Sequence, residues 1–250
     1  MYRLMLGPGL LSSSKRVARL LIITLAVLVS LGVRHATARG PYGDTGPMQL
    51  QKYVEQRKSE FANIPEERKE QLKKLAEYVR SRTAAGQPAC LTFICTHNSR
   101  RSHMAQLWAT VAAAHYGVGN VETFSGGTEA TAFNPRAVAA LERAGFKIEP
   151  GPEKTNPHYK VFVGSASEPL VCFSKVYDAE PNPKADFCAV MTCAQADKNC
   201  PVVHGAALRL SINYEDPKAA DGTPAETARY DERCAQIALE MLYAFSLVKG

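Results

Sequence analysis

Cys95 and Arg101 stand six positions apart in the stretch Cys95-Thr96-His97-Asn98-Ser99-Arg100-Arg101-Ser102, and every residue between them is polar. A short polar loop that ends in an arginine and runs directly into a helix suits a tetrahedral dianion. Its backbone N–H groups can converge on the anion, and the positive end of the helix dipole adds to them. Arg101 can offer a forked pair of donors to two oxygens, which a lysine cannot. The same field favours the thiolate of Cys95 and makes it a nucleophile. Ser102 can donate a hydroxyl hydrogen bond to that sulfur, and Asn98 tolerates the left-handed backbone such a loop needs. Thr96 and Ser99 fall inside the anion-binding turn, whereas His97 and Arg100 either line its mouth or face water. A cysteine and an arginine at this spacing recur by chance; a setting between a buried strand and a helix gives the pair its weight.

That setting can be read from the flanks. Leu91-Thr92-Phe93-Ile94 forms an apolar run that reads as a buried strand entering Cys95. Met104, Leu107, Trp108, Val111, Ala112 and His115 then recur at helical spacing. A second strand, 121–125, leads through Gly126-Gly127 to a helix with Asn134 as cap, Pro135 at its first position and Gly145 at its close. Residues 150–186 read as irregular, with a strand near 161–163, and 187–192 and 208–212 as further strands. Thr223-Pro224-Ala225-Glu226 reads as a capping box for a last helix that turns Tyr230, Cys234, Ile237, Met241, Leu242 and Phe245 inward. Alternation of this kind implies an α/β domain over 85–250, a parallel sheet with helices on both faces.

The chain has 250 residues, 46% hydrophobic and 22% charged, enough for one sizeable core. Residues 1–38 carry five basic residues, no acid, an apolar run from Leu20 to Val33 and then Ala36-Thr37-Ala38. This is the layout of a signal peptide, cleaved near Ala38 to leave an exported protein, periplasmic or extracellular. The alternative is a membrane anchor formed by 20–33, although 14 residues fall short of the roughly 20 that a spanning helix needs. Taking five basic residues from 30, against 24 acids, leaves 25 against 24, so the basic balance belongs to the leader and nucleic acid is not implied as a partner. Residues 39–84 read as a Gly/Pro-rich linker followed by an amphipathic helical extension, with Leu50, Tyr53 and Val54 and then Leu72, Leu75, Ala76 and Val79 on its apolar stripes. All seven cysteines (Cys90, Cys95, Cys172, Cys188, Cys193, Cys200 and Cys234) fall after the leader. Their spacing lacks the paired pattern of a structural zinc site, and no metal or cofactor is expected. Cys90, Cys172, Cys188 and Cys234 read as packing residues, with a Cys172–Cys188 bridge as an alternative.

From Leu91 to Leu247 the sequence resembles the low-molecular-weight protein tyrosine phosphatase superfamily, which includes the thioredoxin-coupled arsenate reductases. The matching residues are Ile94 to Ala105, Ser125-Gly126-Gly127, Asn134-Pro135-Arg136-Ala137 and Asp216-Pro217. The resemblance implies a four-stranded parallel sheet of flavodoxin-like type, with Cys95 as nucleophile, Arg101 as anion clamp and Asp216 as general acid. Family members usually carry glycine where His97 stands and often cysteine where Arg100 stands. Where phosphatases of the family have aromatic residues after the Asp-Pro pair, this chain has Lys218-Ala219-Ala220.

The arsenate reductase branch uses a second pair of thiols seven positions apart, and Cys193-Ala194-Gln195-Ala196-Asp197-Lys198-Asn199-Cys200 resembles that redox segment. The resemblance thus implies arsenate reduction through a Cys95/Cys193/Cys200 relay that a thioredoxin-like donor resets. The alternative is hydrolysis of phosphate esters, phosphotyrosine proteins included, with Cys193 and Cys200 as a structural disulfide of an exported protein. A non-catalytic module that binds phosphate or arsenate is the third reading, and the lesser alternative for Asp216, before Pro217, is a turn residue only.

Overall fold

The computed structural model describes residues 48–163 and 168–249. The leader and most of the linker lie outside the described residues. In chain order the elements are α1 (Met48–Lys58), α2 (Glu66–Ala84), β1 (Ala89–Cys95), α3 (Arg101–Tyr116), β2 (Val121–Gly127), α4 (Pro135–Ala144), β3 (Lys147–Glu149), β4 (Tyr159–Phe162), β5 (Leu170–Cys172), β6 (Phe187–Met191), α5 (Ala194–Asn199), β7 (Ala206–Ser211) and α6 (Glu226–Ser246). The main sheet is parallel throughout, in the order β2-β1-β6-β7. A central strand such as β1 is covered on both faces, and its near-continuous apolar run Leu91-Thr92-Phe93-Ile94 reflects that burial.

Alternate residues of the central strands feed two apolar clusters. Leu91 and Phe93 of β1 and Cys188 and Val190 of β6 join the larger one, where α1, α2, α3, α4 and α6 pack. Ile94 and Cys95 with Phe187, Ala189 and Met191 join the smaller one, completed by Cys193 and by Ala196 of α5. Both faces therefore carry helices, very unequally. The expected inward residues of α6, from Tyr230 to Phe245, are all buried.

The N-terminal extension is part of the larger core. Leu50, Val54, Leu72, Leu75 and Val79 are fully buried in it. Tyr53 of α1 stacks on Trp108 of α3 at 5.4 Å, and Phe146 meets the same indole edge-on at 5.0 Å. Such ring pairs contribute about 0.5–1.5 kcal/mol each beyond the apolar area they bury.

Two expectations need correction. The stretch 150–186 is not irregular throughout: β4 pairs antiparallel with β3 and β5, making a three-stranded sheet. Strands of three and four residues leave too few positions for an alternating pattern to stand out. The capping box at 223–226 is displaced as well. The last helix has Ala225 at its cap position without a side-chain cap, while Glu226 reaches back to the Gly222 amide at 2.6 Å and Thr223 Oγ1 accepts from Ala225 at 3.2 Å. Both side chains accept from amides of the turn before the helix, but not the reciprocal pair that a capping box would use.

Candidate active site

The loop between β1 and α3 is held from outside by its own carbonyls. Those of Cys95 and Thr96 accept from the amides of Thr128 and Glu129 at 3.1 and 2.9 Å, and that of Ser99 accepts from Asn134 at 2.9 Å. The His97 carbonyl accepts from Ser174 Oγ at 2.9 Å and Thr131 Oγ1 at 3.3 Å. With these carbonyls engaged outside, the loop lies at the start of a helix of four turns, the setting in which free loop N–H groups can receive an anion. Gly127 makes the close approach possible: a Cβ there would lie 2.2 Å from the Glu129 carbonyl oxygen and 2.7 Å from the Asn98 nitrogen.

Inside the loop a directed chain of hydrogen bonds ends on the sulfur. The Lys175 amide donates to Asn98 Oδ1 at 2.9 Å, Asn98 Nδ2 donates to Ser102 Oγ at 2.9 Å, and Ser102 Oγ lies 3.1 Å from Cys95 Sγ. Because Asn98 supplies a donor to Ser102, the serine proton is free to point at a thiolate. Asn98 is buried and has φ of 43°, the left-handed backbone expected of it. His103 forms part of the floor, stacked on Phe133 at 4.0 Å and bonded through Nδ1 to Ser125 Oγ at 3.1 Å. Burial, and then the nearby Lys175 charge, hold His103 well below the usual imidazole range, so it is neutral and structural.

Arg101 does not present an empty fork. Its Nη1 donates to the Tyr214 carbonyl at 3.0 Å and its Nη2 to Asp216 Oδ2 at 2.7 Å. Its buried Nε–H has no acceptor among the described residues. The two amino groups thus fix the plane of the guanidinium and leave Nε as the uncommitted donor. Asp216 serves two roles at once, since its Oδ1 also accepts from the Lys218 amide at 3.1 Å and caps the short turn Pro217–Ala220. The turn reading and the acid candidacy are compatible.

The two undecided loop residues part ways. His97 is at the mouth, 43% exposed and 3.1 Å from Glu129 Oε1. Arg100 does not face water: its Nε donates to the Tyr230 hydroxyl at 3.0 Å and its Nη1 lies 3.8 Å from Asp216. Tyr230 in turn donates to Asp221 at 2.9 Å. Tyr230, Ser174 and Lys175 were not singled out for the site from the sequence. Ser174 and Lys175 lie after β5 and come to the loop only through tertiary folding; no local pattern marks them.

Cys193 and Cys200 flank α5 at its two ends. Cys193 is fully buried, its sulfur 3.5 Å from Thr96 Oγ1 and accepting from the Ala196 amide at 3.4 Å. Cys95 and Cys193 share the smaller apolar cluster, and Cys200 packs against it. All seven thiols are free, so the structure contains neither a Cys172–Cys188 bridge nor a Cys193–Cys200 bridge. Burial pushes Cys172 and Cys234 up to about 12 and Cys188 higher still. Burial followed by the Glu122 charge also raises Cys90. These four thiols are chemically quiet at neutral pH.

The family model "Low molecular weight phosphotyrosine protein phosphatase" matches residues 90–158, the stretch that contains the loop. An arsenate reductase of Bacillus licheniformis is 30% identical over 141 residues, covering 56% of this chain and 83% of that protein. One of Brevibacillus brevis is 32% identical over 146 residues, covering 58% and 88%. Among solved structures, a low molecular weight phosphotyrosine phosphatase of Vibrio cholerae aligns with a TM-score of 0.41 at 16% identity, over 62% of this chain and 93% of that one. By its sequence relatives this chain belongs to the low-molecular-weight phosphatase superfamily, the enzyme superfamily that includes the arsenate reductases.

Proposed function

We propose that the protein is a thiol-dependent arsenate reductase in which Cys95, Cys193 and Cys200 act in turn. The observation that supports this most is the seat of Cys193, buried beside Thr96 in the same apolar cluster as Cys95. In the first step the Cys95 thiolate attacks arsenic(V) and a protonated oxygen leaves as water, forming a sulfur–arsenic bond. Loop amides and Arg101 hold the anion's oxygens, and Ser102 steadies the sulfur until it reacts. The Cys193 thiolate then attacks Cys95 Sγ. The sulfur–arsenic electron pair passes to arsenic, arsenite departs, and a Cys95–Cys193 disulfide remains. Cys200 attacks Cys193, frees the Cys95 thiolate and leaves a Cys193–Cys200 disulfide, which an external thioredoxin-like dithiol reduces.

The last disulfide requires α5 to yield. Seven residues of helix rise about 10 Å, and bridged cysteines have Cα atoms roughly 4.4–6.8 Å apart. A six-residue helix bounded by the two cysteines is short enough to unwind for that exchange. The test is to trap the first disulfide: with Cys200→Ser and arsenate, peptide mapping should find Cys95 joined to Cys193 in one-to-one yield with arsenite. Arsenite formed without that linkage would defeat the relay.

A second reading, hydrolysis of phosphate monoesters, draws support from Asp216, whose carboxylate is held 2.7 Å from Arg101 at the loop's edge. There Cys95 would take the phosphoryl group while Asp216 protonates the departing oxygen and then serves as base toward water. We further propose that residues 1–38 are a signal peptide, in which case the mature protein begins at or near Arg39 and the reductant resides in the exported compartment; N-terminal sequencing of the secreted protein tests this.

A further inference from the structure

The segment that carries Asp216 leaves the sheet at an exposed place. It follows β7, the edge strand, so one side has β6 and its continuation, where the Tyr214 amide donates to the Thr192 carbonyl at 3.0 Å, and the other has no strand among the described residues. Backbone on such an edge needs another partner. The N-terminal extension supplies it. Arg68, in the first turn of α2, donates from Nη2 to the Asn213 carbonyl at 2.6 Å, and its guanidinium carbon lies 5.4 Å from the centre of the Tyr214 ring. Its Nη1 is anchored by Gln71 at 2.8 Å, and its Nε faces buried Glu240 of α6 at 3.5 Å. From the braced segment, contacts run to both halves of the candidate chemistry. The Tyr214 carbonyl holds Arg101, and Asn213 Nδ2 donates to Asp197 of α5 at 2.9 Å, between Cys193 and Cys200.

We propose that the helical extension is a working part of the site, with Arg68 as a positioning residue that fixes the Asn213–Asp216 segment and, through it, Arg101, Asp216 and α5. The family match begins at residue 90, so this brace lies outside the matched stretch. The inference rests on the reading of Cys95 and Arg101 as an anion-binding, nucleophilic pair.

The test uses the full chain and the paired variant Arg68→Met/Glu240→Met. It removes Arg68 and Glu240 together, so that neither of these two buried charges is left without the other. Val79→Ala serves as the comparison, a core truncation in the same helix, about 16 Å along its axis from Arg68. Four quantities are read: melting temperature, the inorganic phosphate concentration that half-protects Cys95 from alkylation, and kcat and KM of turnover. In the paired variant the half-protecting concentration should rise about tenfold and kcat fall on the order of ten- to hundredfold, the scale of an ångström-level misplacement. Arg68→Lys, which restores a donor and a charge, should recover part of both losses. Val79→Ala should lower the melting temperature and leave protection and kcat near the wild-type values. A paired variant that melts as a folded protein with wild-type protection and turnover overturns the inference, as does Val79→Ala losing as much function. If phosphate fails to protect Cys95 in the wild type, the reading of the site itself fails and the inference with it.

Discussion

Thr96 Oγ1 lies 3.5 Å from Cys193 Sγ, which seats the second thiol of the proposed relay against the residue that follows the proposed nucleophile. Cys193 caps the start of α5, and Cys200 caps its end with its amide bonded to the Ala196 carbonyl at 2.9 Å. Joining the two sulfurs therefore strains the helix between them. In the oxidised protein the amides of Asp197 and Cys200 should lose protection against hydrogen exchange by tenfold or more, on the order of a local opening. Equal protection in reduced and oxidised protein would show that α5 survives the bridge.

Ser102 is the terminal donor of the chain Lys175–Asn98–Ser102 that ends on Cys95. A hydrogen bond to a charged group contributes about 1.5–3 kcal/mol. Ser102→Ala should slow alkylation of Cys95 by iodoacetamide at neutral pH by about tenfold or more, with little change in melting temperature. An unchanged rate would mean that the serine does not stabilise the thiolate.

Asp216 both pairs with Arg101 and caps the turn that follows it. If it is the proton donor, Asp216→Ala should slow aryl phosphate hydrolysis by roughly 10² to 10⁴. Asp216→Asn keeps a cap acceptor and should lose nearly as much activity while melting close to the wild type. Full activity in the asparagine variant would leave only the turn role.

The alternation that makes a parallel sheet, the loop and the cap of α4 were legible because each rests on local chemistry. An apolar strand runs into a polar loop, a helix follows, and Asn134-Pro135 accepts the Arg136 amide at 2.9 Å as the residue types dictate. What escaped the sequence is contact between distant segments. Arg100 on its own reads as either lining the mouth or facing water, and Tyr230 and Asp216, more than a hundred residues later, fold it inward. Arg101 reads as an open fork until the Tyr214 carbonyl is in place. Lys175 follows strands of three and four residues, which carry almost no periodic signal.

Asp197 ties α5 to the strand end through Ser211 at 2.8 Å and Asn213 at 2.9 Å. Burial alone would raise its carboxyl, but donation from Asn213, Ser211 and Arg209 outweighs burial and holds it below the usual range. A carboxyl depressed on folding stabilises fully above its unfolded value of about 3.9, and that stability fades as the pH falls through the lower folded value. The stability gap between wild type and Asp197→Asn, from urea titrations, should therefore hold steady above about pH 5 and shrink below about pH 4. A gap that widens in acid would contradict the assignment.

The most direct measurement is arsenite production by the purified protein with a thioredoxin system, run beside Cys95→Ser, Cys193→Ser and Cys200→Ser, with aryl phosphate hydrolysis followed in parallel. The expected result is repeated arsenite turnover by the wild type, no more than one equivalent from Cys200→Ser and none from Cys95→Ser or Cys193→Ser, with any phosphatase activity lost only in Cys95→Ser. Arsenite turnover that survives replacement of Cys193 or Cys200, or a wild type that releases phosphate and forms no arsenite, would contradict the relay.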